Sequence, residues 1–256
     1  MTTQETAQIL FERPVAHRGL HNRAAGIIEN SAAAFEAAIA RNFAIECDLQ
    51  LTSDGVPVVF HDPDRKRLQG VDRLVADTTC AEMTSTPLLD STDNQCPQTL
   101  TEFLAQVDGR VMLQIELKHQ RDIAGTQLLA RATAEALKAY EGPVSVESFD
   151  PRLITLIRQF GFTGPRGIIT YDYAPDGWHK DMPEEQRYIL RHLLHWNETQ
   201  FDFISCDKDA LQLPAIQFWR ALGKPVTGWT FRSAVEAEAA RPHIQQIVFE
   251  GFDPDA

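Results

Sequence analysis

Three features of the sequence predict an α/β fold whose strands close into a parallel (β/α)8 barrel. Strand-like and helix-like runs alternate from end to end, and parallel strands need such helical crossovers. The alternation amounts to eight βα units within 256 residues, the size of a barrel built as one domain. No G-x-G-x-x-G turn follows the first strand, which argues against a doubly wound open sheet. The expected organisation is a single domain over residues 1–256, with an insertion at 63–98 after the second strand.

The first strand is PVAHRG (14–19), followed by a helix over 30–41 that Asn30-Ser31 can cap. The stretch 44–62 reads as two strands around a turn, FAIECDLQ and VPVVFHD, because apolar residues alternate with polar ones. The polar segment 63–98 is long for a barrel connection, and Thr79-x-x-Glu82 within it is a candidate capping box. A helix at 100–107 leads to the strand RVMLQIELKH, and a helix at 125–140 to VSVESFD. Asp150-Pro151 opens a helix over 151–160, with Gly161 at its end. RGIITYDY, a helix at 184–196, FDFISCD, a helix at 213–222 ending at Gly223, PVTGWTF, a helix at 234–240 and QQIVFEGFD complete the series. No helical run follows the eighth strand, and a helix over 3–11 is expected to cover that sector.

Composition narrows the function. The hydrophobic fraction of 43% is enough for a full core. A net charge of -12 argues against a nucleic acid or an anionic membrane as partner. A phosphate-bearing substrate stays open, since a bound cation or a few local basic residues can invert the field of one pocket. The start MTTQETAQILFERP lacks a basic stretch followed by an apolar one, and no run is apolar enough to span a bilayer. Cys47, Cys80, Cys96 and Cys206 show no C-x-x-C spacing and are too sparse for a disulfide framework. A reduced, cytoplasmic protein without stable membrane association is expected.

The reactive residues of such a barrel belong at the carboxyl ends of its strands. His17 and Arg18 fall there after the first strand, Glu46 and Asp48 on the second, His61 after its extension, and Glu116 and Lys118 on the third. A two-residue spacing turns each pair to one side of its strand. Three carboxylates converging on a barrel mouth repel one another, and removing each from water costs several kcal/mol unless compensated. One divalent cation compensates them, and an all-oxygen donor set suits Mg2+ or Ca2+ better than zinc. Two histidines beside such a cation suit acid–base work, since imidazole titrates near neutrality. Arg18 and Lys118 suit the non-bridging oxygens of a phosphoryl group. The set points to metal-assisted phosphodiester cleavage.

The same residues carry a resemblance to a known family. VAHRG (15–19), ENSAAAFEAAI (29–39), IECDLQLTSDGVPVVFHD (45–62) and PQTLTEFLAQVDGRVMLQIELK (97–118) resemble the glycerophosphodiester phosphodiesterases, with weaker echoes at SFD (148–150), Trp229-Thr230 and the terminal FDPD. The resemblance implies a TIM barrel with an insertion after the second strand. It implies Glu46, Asp48 and Glu116 as cation ligands, His17 and His61 as general base and acid, and Arg18 and Lys118 as phosphate contacts. In the family scheme a glycerol hydroxyl attacks phosphorus, expels the alcohol and leaves a cyclic phosphate that water opens. The implied partner is a small glycerophosphodiester, and its head group stays open, as does the oligomeric state. Three departures bear on substrate choice. Ile28-Glu29-Asn30-Ser31 stands where the family often has Pro-Glu-Asn-Thr, Arg232 where an Asn is common, and Glu250-Gly251 near a usual Thr-Asp pair.

Blander readings compete at each position. Glu46 and Asp48 also fit a solvated strand face, His17 and His61 structural histidines, Lys118 a salt-bridge partner for Glu116, and Arg18 a loop anchor. Glu29 is a weak site candidate that orients Arg18 or His17, or sits beside the Asn30 cap. Trp229 is a candidate apolar wall for the glycerol moiety. Tyr171, Tyr173, Phe149 and Phe231 read as barrel core, and Cys47, alternating with the acids, as an inert thiol facing the helices. His192 and His195 share helical spacing without acids beside them and read as a solvated face. Two other functions remain on the same frame: a metal-dependent phospholipid lyase that stops at the cyclic phosphate, and an inactive phosphodiester-binding barrel.

Overall fold

The computed structural model describes residues 11–177 and 179–256. The helix expected over 3–11 therefore lies, but for Phe11, outside the described residues. One sheet contains β1 (Val15–Ala16), β2 (Ala44–Leu51), β3 (Pro57–Val59), β4 (Leu113–Leu117), β5 (Val144–Ser148), β6 (Arg166–Thr170), β7 (Phe203–Asp207), β8 (Val226–Phe231) and β9 (Gln246–Phe249). Its order is β1-β9-β8-β7-β6-β5-β4-β2-β3, and a further β1–β2 pairing closes it. The eight parallel strands make a closed (β/α)8 barrel, and β3 runs antiparallel along β2.

Alternation sorts the side chains of each strand between two environments. On β2, Ile45, Cys47 and Leu49 join the layer between barrel and helices, where Phe35, Phe103, Leu129 and Ile154 are fully buried. Each of these large apolar side chains contributes roughly 1.5–3 kcal/mol on burial. The lumen is divided along its axis. Its lower part is apolar, a cluster of Val15, Ala44, Met112, Phe203 and Val248 against which Phe11 packs. Gly167 makes room there, since a Cβ at that position would lie 2.3 Å from the Phe203 ring. Above this plug the inward residues of β2, β4 and β5 turn acidic: Glu46, Asp48, Glu116 and Glu147.

The caps read from the sequence recur with one exchange. The helix Ala32–Ala40 is capped by Ser31, whose hydroxyl accepts the Ala34 N–H, while Asn30 stands outside it. Asp150 caps Pro151–Gln159, and Thr79 with Glu82 forms the capping box of Cys80–Ser85. The helix expected at 184–196 is broken into Glu184–Arg191 and Trp196–Thr199, with Leu193 in the left-handed region at φ 52°. The break corrects the reading of His192 and His195. His192 ends the first piece, and His195 is buried against Phe201, 3.4 Å from Thr199 Oγ1. Two short helices cannot keep one solvated face, so the second histidine turns inward. No helix among the described residues is long and apolar enough to cross a membrane.

Candidate active site

The carboxyl ends of β1, β2, β4 and β9 meet at one sector of the barrel mouth. Parallel register sets Asp48 opposite Glu116, and Glu46 lies one inward position below Asp48. Each of Glu46, Asp48 and Glu116 offers an oxygen within 4.8 Å of the others, and all three are buried. A solvated strand face is thereby excluded.

The turn after β1 brings in the histidine and arginine. Gly19 is required there, since its φ is 78° and a Cβ would meet the Ala34 backbone at 2.9 Å. The Arg18 N–H donates to Glu46 Oε2 at 2.8 Å, and its guanidinium donates to Glu29 at 2.7 Å and lies 3.4 Å from Asp48. Glu29 thus orients Arg18. His17 Nε2 faces Glu46 Oε2 at 4.0 Å, and its Nδ1 lies 2.6 Å from Glu250 Oε2. His61, at the end of the β3 extension, sets Nδ1 2.7 Å from Asp62, which Arg67 clamps at 2.7 Å. Lys118 spans the acids, with its ammonium 2.8 Å from Asp48 and 2.9 Å from Glu116. Trp229 stands on β8, half-buried, its ring edge-to-face with Phe149 at 5.7 Å.

The charges of the cluster do not balance without further positive charge. Burial pushes Glu46 well above the ordinary carboxylate range, and the neighbouring Asp48 and Glu116 push it further. Burial raises Glu116 too, against the pull of Lys118. Asp48 is held well below its ordinary value, since Lys118, His61 and Arg18 overcome its burial. Its second support is Asn30, whose side-chain amide donates to Oδ2 at 2.8 Å. Burial lowers His17 to about 4, against the raising effect of Glu250. Glu46 accepts one backbone N–H, has His17 Nε2 at 4.0 Å and otherwise faces acids, so this all-oxygen cluster fits a hard divalent cation.

The sequence model of the glycerophosphoryl diester phosphodiesterase family matches residues 17–241. The chain belongs to the glycerophosphoryl diester phosphodiesterase family. With the family goes the enzyme class, a phosphoric diester hydrolase. The chain is 25% identical over 268 residues to glycerophosphodiester phosphodiesterase 1 of Bos taurus, covering 94% of this chain and 80% of that one. Its fold is similar to a glycerophosphodiester phosphodiesterase structure from Parabacteroides distasonis ATCC 8503, with TM-score 0.73, 20% identity, and 93% and 92% of the two chains covered. It is also similar to an Oleispira antarctica phosphodiesterase solved with the product sn-glycerol-3-phosphate, with TM-score 0.73, 20% identity, and 92% and 91% covered.

All of His17, Arg18, Glu29, Glu46, Asp48, His61, Glu116 and Lys118 come to this mouth. Four supporting residues escaped the sequence reading in that role: Asn30 was readable as a helix cap, while Asp62, Arg67 and Glu250 carried no pairing signal. Position alone could have found Glu250, a polar residue directly after the last strand.

Proposed function

We propose that this protein hydrolyses glycerophosphodiesters to an alcohol and glycerol 3-phosphate, using His17 and His61 as the acid–base pair and one divalent cation, Mg2+ or Ca2+, held by Glu46, Asp48 and Glu116. The observation that carries the reading is the meeting of three buried carboxylates and two carboxylate-anchored histidines at one barrel mouth, in a chain of this family. The cation supplies charge neutralisation to the phosphoryl oxygens when bound. One histidine takes the proton from the attacking hydroxyl of the glycerol moiety. The other gives a proton to the alcohol oxygen as its bond to phosphorus breaks. Water then opens the cyclic phosphate with the two roles exchanged. Arg18 and Lys118, now on carboxylates, stand where their charge reaches non-bridging oxygens, and Trp229 offers an apolar wall to glycerol. We place the chain, read as one catalytic domain, in the reducing cytoplasm; its four free cysteines support that.

The deciding experiment incubates the purified protein with glycerophosphocholine and Mg2+, Ca2+ or excess chelator, and follows glycerol 3-phosphate. Release that needs a metal is expected. Metal-independent release overturns the cation assignment, and cyclic phosphate from a lysophospholipid without any glycerol 3-phosphate overturns the hydrolase reading in favour of a lyase.

A further inference from the structure

Glu250 and Arg232 follow different strands, and the fold brings them together. β9 lies between β1 and β8, so residues directly after these three strands become neighbours. His17 follows Ala16 on β1, Glu250 follows Phe249 on β9, and Arg232 follows Phe231 on β8; Ala16 and Phe231 both register with Phe249. Glu250 Oε2 lies 2.6 Å from His17 Nδ1, and Arg232 Nη2 lies 2.7 Å from Glu250 Oε1. His21 approaches the same carboxylate at 3.7 Å.

From this geometry we infer that Glu250, clamped by Arg232, is a positioning residue that fixes the tautomer and ring orientation of His17. A carboxylate only accepts, so Nδ1 carries the proton and Nε2 is left with its lone pair directed at the carboxylate cluster. His61 is held in the same way at the other side, its Nδ1 on Asp62 and Asp62 on Arg67. Both imidazoles therefore present Nε2 to the reaction, each anchored by an acid that an arginine holds in place. Glu250 and Arg232 act as one unit. Arg232 is largely exposed, so its share is the orientation of Glu250 more than added charge.

The inference rests on the acid–base role proposed for His17, and its test has a readout independent of turnover. The nitrogen chemical shifts of the His17 ring report which nitrogen bears hydrogen. Unmodified protein is expected to show the Nδ1–H form, and Glu250→Ala a mixture of tautomers. With glycerophosphocholine and metal, Glu250→Ala is expected to lower kcat at least about tenfold with KM within about twofold. Glu250→Gln, which keeps an acceptor oxygen, should recover part of that loss, and Arg232→Ala should cost less than Glu250→Ala. A merely structural Glu250 would lower the melting temperature while leaving the tautomer and kcat alone, and that result overturns the inference. If the unmodified protein cleaves no glycerophosphodiester, the reaction reading fails, and the tautomer comparison still decides the brace.

Discussion

At the scale of single residues, the site is a contest between burial and pairing. Asp48 keeps its charge because Lys118, Arg18 and Asn30 surround it, while Glu46 and Glu116 lack enough partners and are pushed up. His17→Ala and His61→Ala should each lower kcat by about a hundredfold to ten-thousandfold, the usual worth of one acid or base, with an unchanged circular dichroism spectrum. Turnover within a few-fold of the unmodified protein would remove either residue from the mechanism. Asp62→Asn keeps the size of the side chain but lets an amide face His61 Nδ1, so kcat should fall by about tenfold or more. A normal kcat in that variant would mean that His61 is oriented by other contacts.

Among the elements, the turn directly after β1, packed against the helix Ala32–Ala40, carries the heaviest constraint. His17, Arg18 and Gly19 occupy it, and Gly19 meets the helix backbone so closely that no Cβ fits. Gly19→Ala is expected to move the turn, weakening both fold and turnover: about 1 kcal/mol or more for the backbone conformation alone, with a larger loss in kcat because His17 shifts with it. Denaturant titration and turnover on the same preparation check this. Full activity with full stability would show that the helix gives way instead. The insertion 63–98 contributes through Arg67, at the helix Lys66–Gln69, which clamps both Asp62 and Glu29. A segment outside the barrel thus steadies His61 and Arg18 at once.

Across the whole molecule, the upper lumen trades stability for charge. Glu147 lies on β5 beside Glu116, buried, and accepts a hydrogen bond from Gln114 at 2.9 Å. Burial raises its carboxyl from an ordinary 4.5 to about 8. The unfolded chain releases that proton near pH 4.5 while the folded chain keeps it, so stability falls as pH rises from there to about 8. Above that both states are ionised and the folded one bears the full cost. Glu147→Gln should make the fall of stability with pH shallower, measured by urea denaturation with chelator present at pH 5, 7 and 9; parallel pH profiles would contradict it. Cation binding should act in the opposite sense on the cluster. At a hundredfold excess over its Kd, Mg2+ or Ca2+ should add about 2.7 kcal/mol and raise the melting temperature, and Asp48→Asn should abolish the shift. An equal shift in that variant would move the cation elsewhere.

The barrel was legible in the sequence because its signals are local. Alternating apolar residues mark strands, Asp150-Pro151 and Thr79-x-x-Glu82 mark helix starts, and alternation with helices demands parallel pairing. The acids and histidines were legible too, since a two-residue spacing on a strand and a position at its carboxyl end are sequence properties. What stayed hidden depends on which strands become neighbours. Closure sets β1 against β9, and that contact joins His17 to Glu250 across 233 positions of chain. The fold of the insertion brings Arg67 to Glu29 and Asp62, and the failure of the 184–196 helix to run straight turns His195 inward. Periodicity determines how each segment folds and which side it buries. Contacts between distant segments arise from sheet closure and side-chain packing, so the anchoring of the histidines belongs to the tertiary structure.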